Sequence, residues 1–91
     1  MTNKDVARRF AAREPGRAGH FHSTGRECYS YSMKLAQRLP DGTVEVIKRD
    51  HSPSRTTSRH LSILQSTIGY TGFVEVDRFT DVAPFSYGET G

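Results

Sequence analysis

One stretch organises this chain: Ser52-Pro53-Ser54-Arg55-Thr56-Thr57-Ser58-Arg59-His60-Leu61-Ser62-Ile63-Leu64. Hydroxyl side chains collect at helix starts because they accept hydrogen bonds from backbone N–H groups that have no partner within the helix. Apolar residues follow at three- and four-residue spacing, and Gly69 comes after them. We therefore expect a helix that begins between Ser54 and Thr57, ends near Thr67 and buries Leu61, Leu64 and Ile68.

The segment before this helix predicts a β-hairpin. Apolar and polar residues alternate from residue 27 to 36, which is the period of a half-buried strand. Pro40-Asp41-Gly42 is typical of a tight turn, and residues 43–48 return as the partner strand. A third strand is expected over residues 72–79. Residues 20–25 are either an edge strand or an extended connection.

The amino-terminal residues predict a basic helix. Thr2 and Asp5 have the spacing of a helix start, and helical spacing continues to about Arg13, before Pro15 and Gly16 interrupt it. We expect three regions: a basic helix and linker over 1–19, an α+β domain over 20–79 and an extended tail over 80–91. The fold class is α+β, with a small antiparallel sheet of the hairpin plus a third strand packed on one main helix.

Composition limits what this domain can be. The chain has 91 residues, only 34% of them apolar, and no Trp, so its core is small and a homodimer or a partner protein would add to it. No apolar run approaches the length of a membrane span, which leads us to expect a cytoplasmic protein with no membrane contact. Its one cysteine, Cys28, fits a reducing compartment or a buried apolar position.

Charge is unevenly distributed. Residues 1–26 carry six Lys or Arg against two acids, and residues 73–91 carry one Arg against four acids. A basic front could bind a polyanion or attract the acidic tail of a second copy, although charge runs of this kind are more often only solvated.

Several segments together resemble a domain found in many small phage and mobile-element proteins. They are Tyr29-Ser30-Tyr31, Leu35-Ala36-Gln37-Arg38, Asp41-Gly42-Thr43-Val44-Glu45-Val46 and Ser54-Arg55-Thr56-Thr57-Ser58-Arg59-His60-Leu61. The general pattern is a strand, an Asp-Gly turn, a second strand and Ser-x-Thr-Thr-Ser-(Arg or Lys)-His, and the match covers about residues 28–65. This chain has Pro53 where a Tyr often precedes the first Ser. The resemblance implies a phage-like source and an α+β fold, and it assigns no catalytic residues.

Two sets of residues are candidates for binding. At the predicted helix start, Arg55, Thr56, Thr57, Ser58, Arg59 and His60 either bind an anion or a partner, or only cap and pack the helix. In a nucleic-acid binder, Arg8, Arg9, Arg13 and Arg17 would act together with Arg55 and Arg59.

Other site chemistries have weaker support. The four histidines and Cys28 lack the spacing of a zinc site, since only His20 and His22 form a close pair, so we expect neither a metal nor a cofactor. A sheet face with Tyr29, Tyr31, Phe73 and Phe79 could stack single-stranded bases, but such a stripe is more often core.

No catalytic motif is present in the sequence. The alternative of a small ribonuclease-type toxin would use His60, Arg59 and Tyr70 as base, charge clamp and acid. We expect instead a non-enzymatic accessory protein that binds a host or phage protein, with nucleic-acid binding as the alternative and a homodimer as an open question.

Overall fold

A computed structural model describes residues 1–51, 54–69 and 72–81. The elements follow in the order α1 (Asn3–Ala11), β1 (Pro15–Ala18), β2 (Phe21–Thr24), β3 (Glu27–Ser30), β4 (Met33–Arg38), β5 (Val44–Ile47), a 3-10 turn (Arg49–His51), α2 (Arg55–Ile68) and β6 (Val74–Val76). The protein is therefore α+β, as predicted. Of the expected tail over 80–91, residues 82–91 lie outside the described residues.

The six strands form one mixed sheet in the order β1 to β6. The first five make an antiparallel meander in which every strand pairs with the next along the chain. Helix α2 then carries the chain across one face, and β6 pairs parallel to β5. The predicted three-stranded antiparallel sheet is thus too small, and its last pairing is parallel.

The turn of the hairpin, its second strand and the main helix were predicted correctly, although Ile68 is only partly buried. Strands β4 and β5 flank the Asp41-Gly42 turn, where the Thr43 backbone N–H donates to Asp41 Oδ1 at 2.9 Å and Gly42 has a φ of 93°. Helix α2 begins after Ser54, whose hydroxyl accepts from the Thr57 backbone N–H, and ends at Gly69 with a φ of 91°.

The predicted strand over residues 27–36 is wrong, because it is two strands. Tyr31 adopts a φ of 58°, and Tyr31 and Ser32 turn the chain between β3 and β4. The alternating pattern hid this turn, because the sequence has neither Gly nor Asn where the left-handed conformation occurs. Pro15 and Gly16 lie in β1 at the edge of the sheet, where Pro is tolerated, so the predicted linker contains a strand.

One core lies between the sheet and both helices. Thr2 caps α1 through the predicted hydroxyl-to-acid exchange with Asp5, and α1 contributes Val6 and Phe10 to a cluster that also contains Leu61 of α2. Packing on one main helix is not confirmed, since α1 contacts β1, β2 and α2. The opposite face of the sheet, which we call the outer face, points away from both helices.

Candidate functional site

Two of the predicted site residues are buried. Thr57 is 2% exposed and His60 is 5% exposed, and both reach Ser30 of β3, which has no exposed surface. The Ser30 Oγ lies 2.8 Å from His60 Nδ1 and 3.1 Å from Thr57 Oγ1. The His60 ring also stacks on Phe21, with ring centroids 4.5 Å apart. These contacts join the start of α2 to the sheet, and a ligand cannot reach either side chain unless the core opens.

Burial determines the charge of His60. Desolvation lowers its pKa from the ordinary value, and the positive charges of His20 and Arg59 lower it further. The ring is therefore neutral at physiological pH and suited to a fixed hydrogen bond with Ser30.

The rest of the predicted helix-start site remains accessible. Arg55, Thr56 and Arg59 are exposed, and Ser58 is half-buried. Ser54, rather than Thr56 or Thr57, is the cap of α2. Of the six predicted residues, Thr57 and His60 are therefore buried, and the other four form a polar surface. Anion binding by that surface stays a prediction.

The four arginines of the amino-terminal region occupy different surroundings. Arg8 pairs with Asp5 at 3.7 Å, and Arg9 donates from Nη1 to the Pro15 carbonyl at 3.5 Å. Arg17 is in β1 and projects toward the outer face, so it lies apart from the helix. Arg13 follows α1 with a φ of 65°.

The conformation of Arg13 ends the helix. The Arg13 N–H donates to the Phe10 carbonyl, and the Glu14 N–H donates to the Arg9 carbonyl at 2.7 Å. This is the Schellman arrangement, whose left-handed position is usually a glycine. Here an exposed arginine side chain takes that place.

Arg13 belongs to a cluster that we call the basic end, defined as Arg13, Arg26 and Arg38. The Arg38 guanidinium donates to the carbonyls of Gly25 and Phe10 at 2.7 and 2.8 Å and lies over the Phe10 ring. Desolvation, together with the charge of Arg13, lowers the Arg38 pKa. Among the residues described, no carboxylate lies within 4 Å of these three guanidinium groups.

The outer face carries a cross-strand row that sequence reasoning missed. Arg17, His22, Tyr29 and Lys34 are direct neighbours on β1, β2, β3 and β4. The His22 and Tyr29 rings stack with centroids 5.1 Å apart, and their planes differ by 10°. The sequence did not predict this row, because it predicted neither β1 nor the turn at Tyr31.

A second ring pair lies at the end of the same strands. His20 and Tyr31 stack with centroids 4.3 Å apart, and Tyr31 is 49% exposed. We call these two pairs, His20 with Tyr31 and His22 with Tyr29, the ring strip. The predicted aromatic face is thus present in its tyrosines, with histidines added. Phe73 and Phe79 are half-buried, and the Phe79 ring lies beside the row, with Lys34 Nζ 5.2 Å from its centroid.

Residues 78–81 cross the other half of the outer face. The Thr80 N–H and hydroxyl donate to Glu45, and the Gln37 side chain donates both to Glu45 and to the Thr80 carbonyl. Burial raises the Glu45 pKa, but these hydrogen bonds outweigh it and the net pKa lies below the ordinary value. A groove of about 500 Å³ lies beside this segment, and its charged lining residues are Arg26, Lys34, Arg38 and Arg78 together with Glu27 and Asp81.

The described residues contain no group of three His, Cys, Asp or Glu side chains that could hold a metal ion. Cys28 is buried, and burial raises the pKa of its thiol to about 12. Within the same residues, no helix is both long enough and apolar enough to cross a membrane.

Comparison with known proteins gives no relative from which a role could be transferred. No family model, curated protein or solved structure matches this chain. Any functional conclusion therefore rests on the geometry described above.

Proposed function

We propose that this chain is a small non-enzymatic accessory protein, of phage or mobile-element type, that acts in the host cytoplasm by binding a nucleic acid. The observation that carries the proposal is the basic end, where Arg13, Arg26 and Arg38 gather and no carboxylate of a described residue lies within 4 Å of their guanidinium groups. Grouped cations of this kind are the electrostatic footprint of a polyanion site.

The fold itself does not require two of these cations. The Arg38 guanidinium binds two carbonyls, but the side chains of Arg13 and Arg26 make no hydrogen bond to a described residue. Arg13 also occupies a left-handed position, which costs a non-glycine residue about 1 to 2 kcal/mol. A phosphate backbone would offset both this cost and the mutual repulsion of the arginines.

The non-enzymatic part of the proposal is supported by the surroundings of His60. The ribonuclease alternative needs this ring as an accessible base, but it is buried and its Nδ1 is bound to Ser30. The other proposed group, Tyr70, lies outside the described residues.

The test is the salt dependence of binding. Fluorescence anisotropy with a labelled oligonucleotide of about 12 nucleotides would give the affinity over a range of NaCl concentrations. We expect the affinity to fall steeply with salt, and Arg26→Gln to weaken binding and to reduce the slope of log K against log [salt] by about 1.

Arg59→Gln is the matched control, because it removes the same charge from the exposed start of α2. An unchanged slope in this variant assigns the contact to the basic end. If Arg59→Gln reduces the slope and Arg26→Gln does not, the helix start is the site. Absence of oligonucleotide binding near physiological salt would refute nucleic-acid binding altogether.

A protein partner is the second candidate function. Strand β6 is three residues long and forms one edge of the described sheet, and its Val74 is 49% exposed. An open edge with an apolar side chain can accept a strand from a partner or from a second copy. Sedimentation velocity over a concentration series, with Val74→Lys as the comparison, would reveal a homodimer by a concentration-dependent coefficient that the variant loses.

A further inference from the structure

The ring strip places aromatic side chains on the outer face, and salt-dependent phosphate binding does not involve them. It consists of the His22 and Tyr29 pair on β2 and β3 and of the His20 and Tyr31 pair just beyond the ends of these strands, each stacked nearly parallel. His20 and Tyr31 are both exposed, so a further flat group can reach their stack. Base–aromatic stacking of this kind is how proteins hold unpaired bases.

Of the four residues in the ring strip, Tyr31 is the one that folding explains least. Its side chain is 49% exposed, so it contributes little to the core. Its φ of 58° is unfavourable for an aromatic residue, and Asn or Gly would adopt this turn at lower cost. Tyr31 and Arg13 are the two described non-glycine residues with positive φ, and both present an exposed binding group.

A cation borders the strip on one side, because Arg17 is the cross-strand neighbour of His22. On the other side Lys34 is the neighbour of Tyr29, but its ammonium pairs with Glu27 at 3.2 Å and donates to Gln37 at 2.8 Å. The basic end begins at Arg26, beyond the other end of β2. With a rise of about 3.3 Å per residue, the path from Thr24 to His20 is about 13 Å long, which is enough for a few nucleotides.

From this juxtaposition we propose that the ring strip is a binding site for single-stranded nucleic acid, in which an unpaired base extends the stack of His20 and Tyr31. The phosphates then lie along Arg17 and toward the basic end. Bases paired in a duplex are stacked on one another and cannot enter. The inference rests on the proposed nucleic-acid binding and adds the strandedness of the ligand.

The experiment compares Tyr31→Asn and Tyr31→Phe with the unchanged chain, using a single-stranded oligonucleotide, the matching duplex and heparin as ligands. Asn removes the ring and adopts the left-handed backbone conformation of residue 31 more readily than Tyr does, so we expect the variant to fold. Thermal denaturation checks that it does. We expect Tyr31→Asn to weaken single-strand binding about tenfold and to leave heparin binding unchanged. Tyr31→Phe should bind like the unchanged chain.

The outcomes separate this inference from the proposal beneath it. Equal affinity for single strand and duplex, or single-strand binding that Tyr31→Asn does not weaken, overturns the stacking site while leaving the basic end in place. Failure of the unchanged chain to bind any of the three polyanions near physiological salt overturns both.

Discussion

Replacing Arg13 with glycine should make this protein more stable and a poorer binder. Arg13 is the left-handed residue of the Schellman arrangement after α1, and that conformation costs a non-glycine residue about 1 to 2 kcal/mol. Glycine removes this cost but adds about 0.5 to 1 kcal/mol of unfolded-state entropy. The net expectation is a gain of about 0.5 to 1 kcal/mol, or roughly 3 to 6 °C in Tm for a domain of this size.

Urea unfolding followed by circular dichroism measures the change, and Ala12→Gly is the matched control. Ala12 has a φ of −88°, so glycine there brings only the entropy cost and should lower the free energy of unfolding. Oligonucleotide binding by Arg13→Gly should weaken at the same time. A destabilised Arg13→Gly variant would refute the reasoning, because the side chain would then contribute to the fold and its position would no longer indicate a ligand.

Three further predictions concern buried groups. Burial lowers the pKa of His60 in the folded state, so the contribution of this neutral ring to stability is complete above the ordinary histidine pKa of about 6.5 and is lost as the pH falls through the folded-state value. The free energy of unfolding should therefore decrease as the pH is lowered from 8 to 5. A His60→Gln variant whose free energy of unfolding has the same pH dependence would contradict this. Ser30→Ala, which leaves the buried His60 Nδ1 without its partner, should cost about 1 to 3 kcal/mol. Cys28, with a thiol pKa raised to about 12, should react with a disulfide reagent only after unfolding, and rapid reaction of the folded chain would show that β3 is less protected than its burial indicates.

Helix α2 and the Asp-Gly turn could be predicted from the residues at their ends. Ser54 and Gly69 bound α2, and Asp41-Gly42 turns the hairpin, because caps and tight turns depend on residues within a few positions. The turn at Tyr31 has no such signal, and without it β3 and β4 read as one strand. The four strands from β1 to β4 could therefore not be counted from the pattern.

The candidate site was predictable only as a list of residue types. The arginines and hydroxyls near His60 were identified, but the burial of Thr57 and His60 involves Ser30, which lies 30 residues before His60 in the chain. The same is true of the ring strip, because His22 and Tyr29 become neighbours only through the pairing of β2 with β3. Contacts of this range follow from the register of the sheet, which no local pattern gives.

The parallel pairing of β6 has a consequence for how the domain assembles. The four pairings among strands β1 to β5 each join strands that a short connection separates, so their contacts close short loops. The pairing of Val46 with Glu75 closes a loop that includes all of α2, and its entropic cost is correspondingly larger. Residues 78–81 reach Glu45 only through the same connection. The meander can therefore form as an early unit, and the final strand with the segment behind it joins last and exchanges its amide hydrogens first.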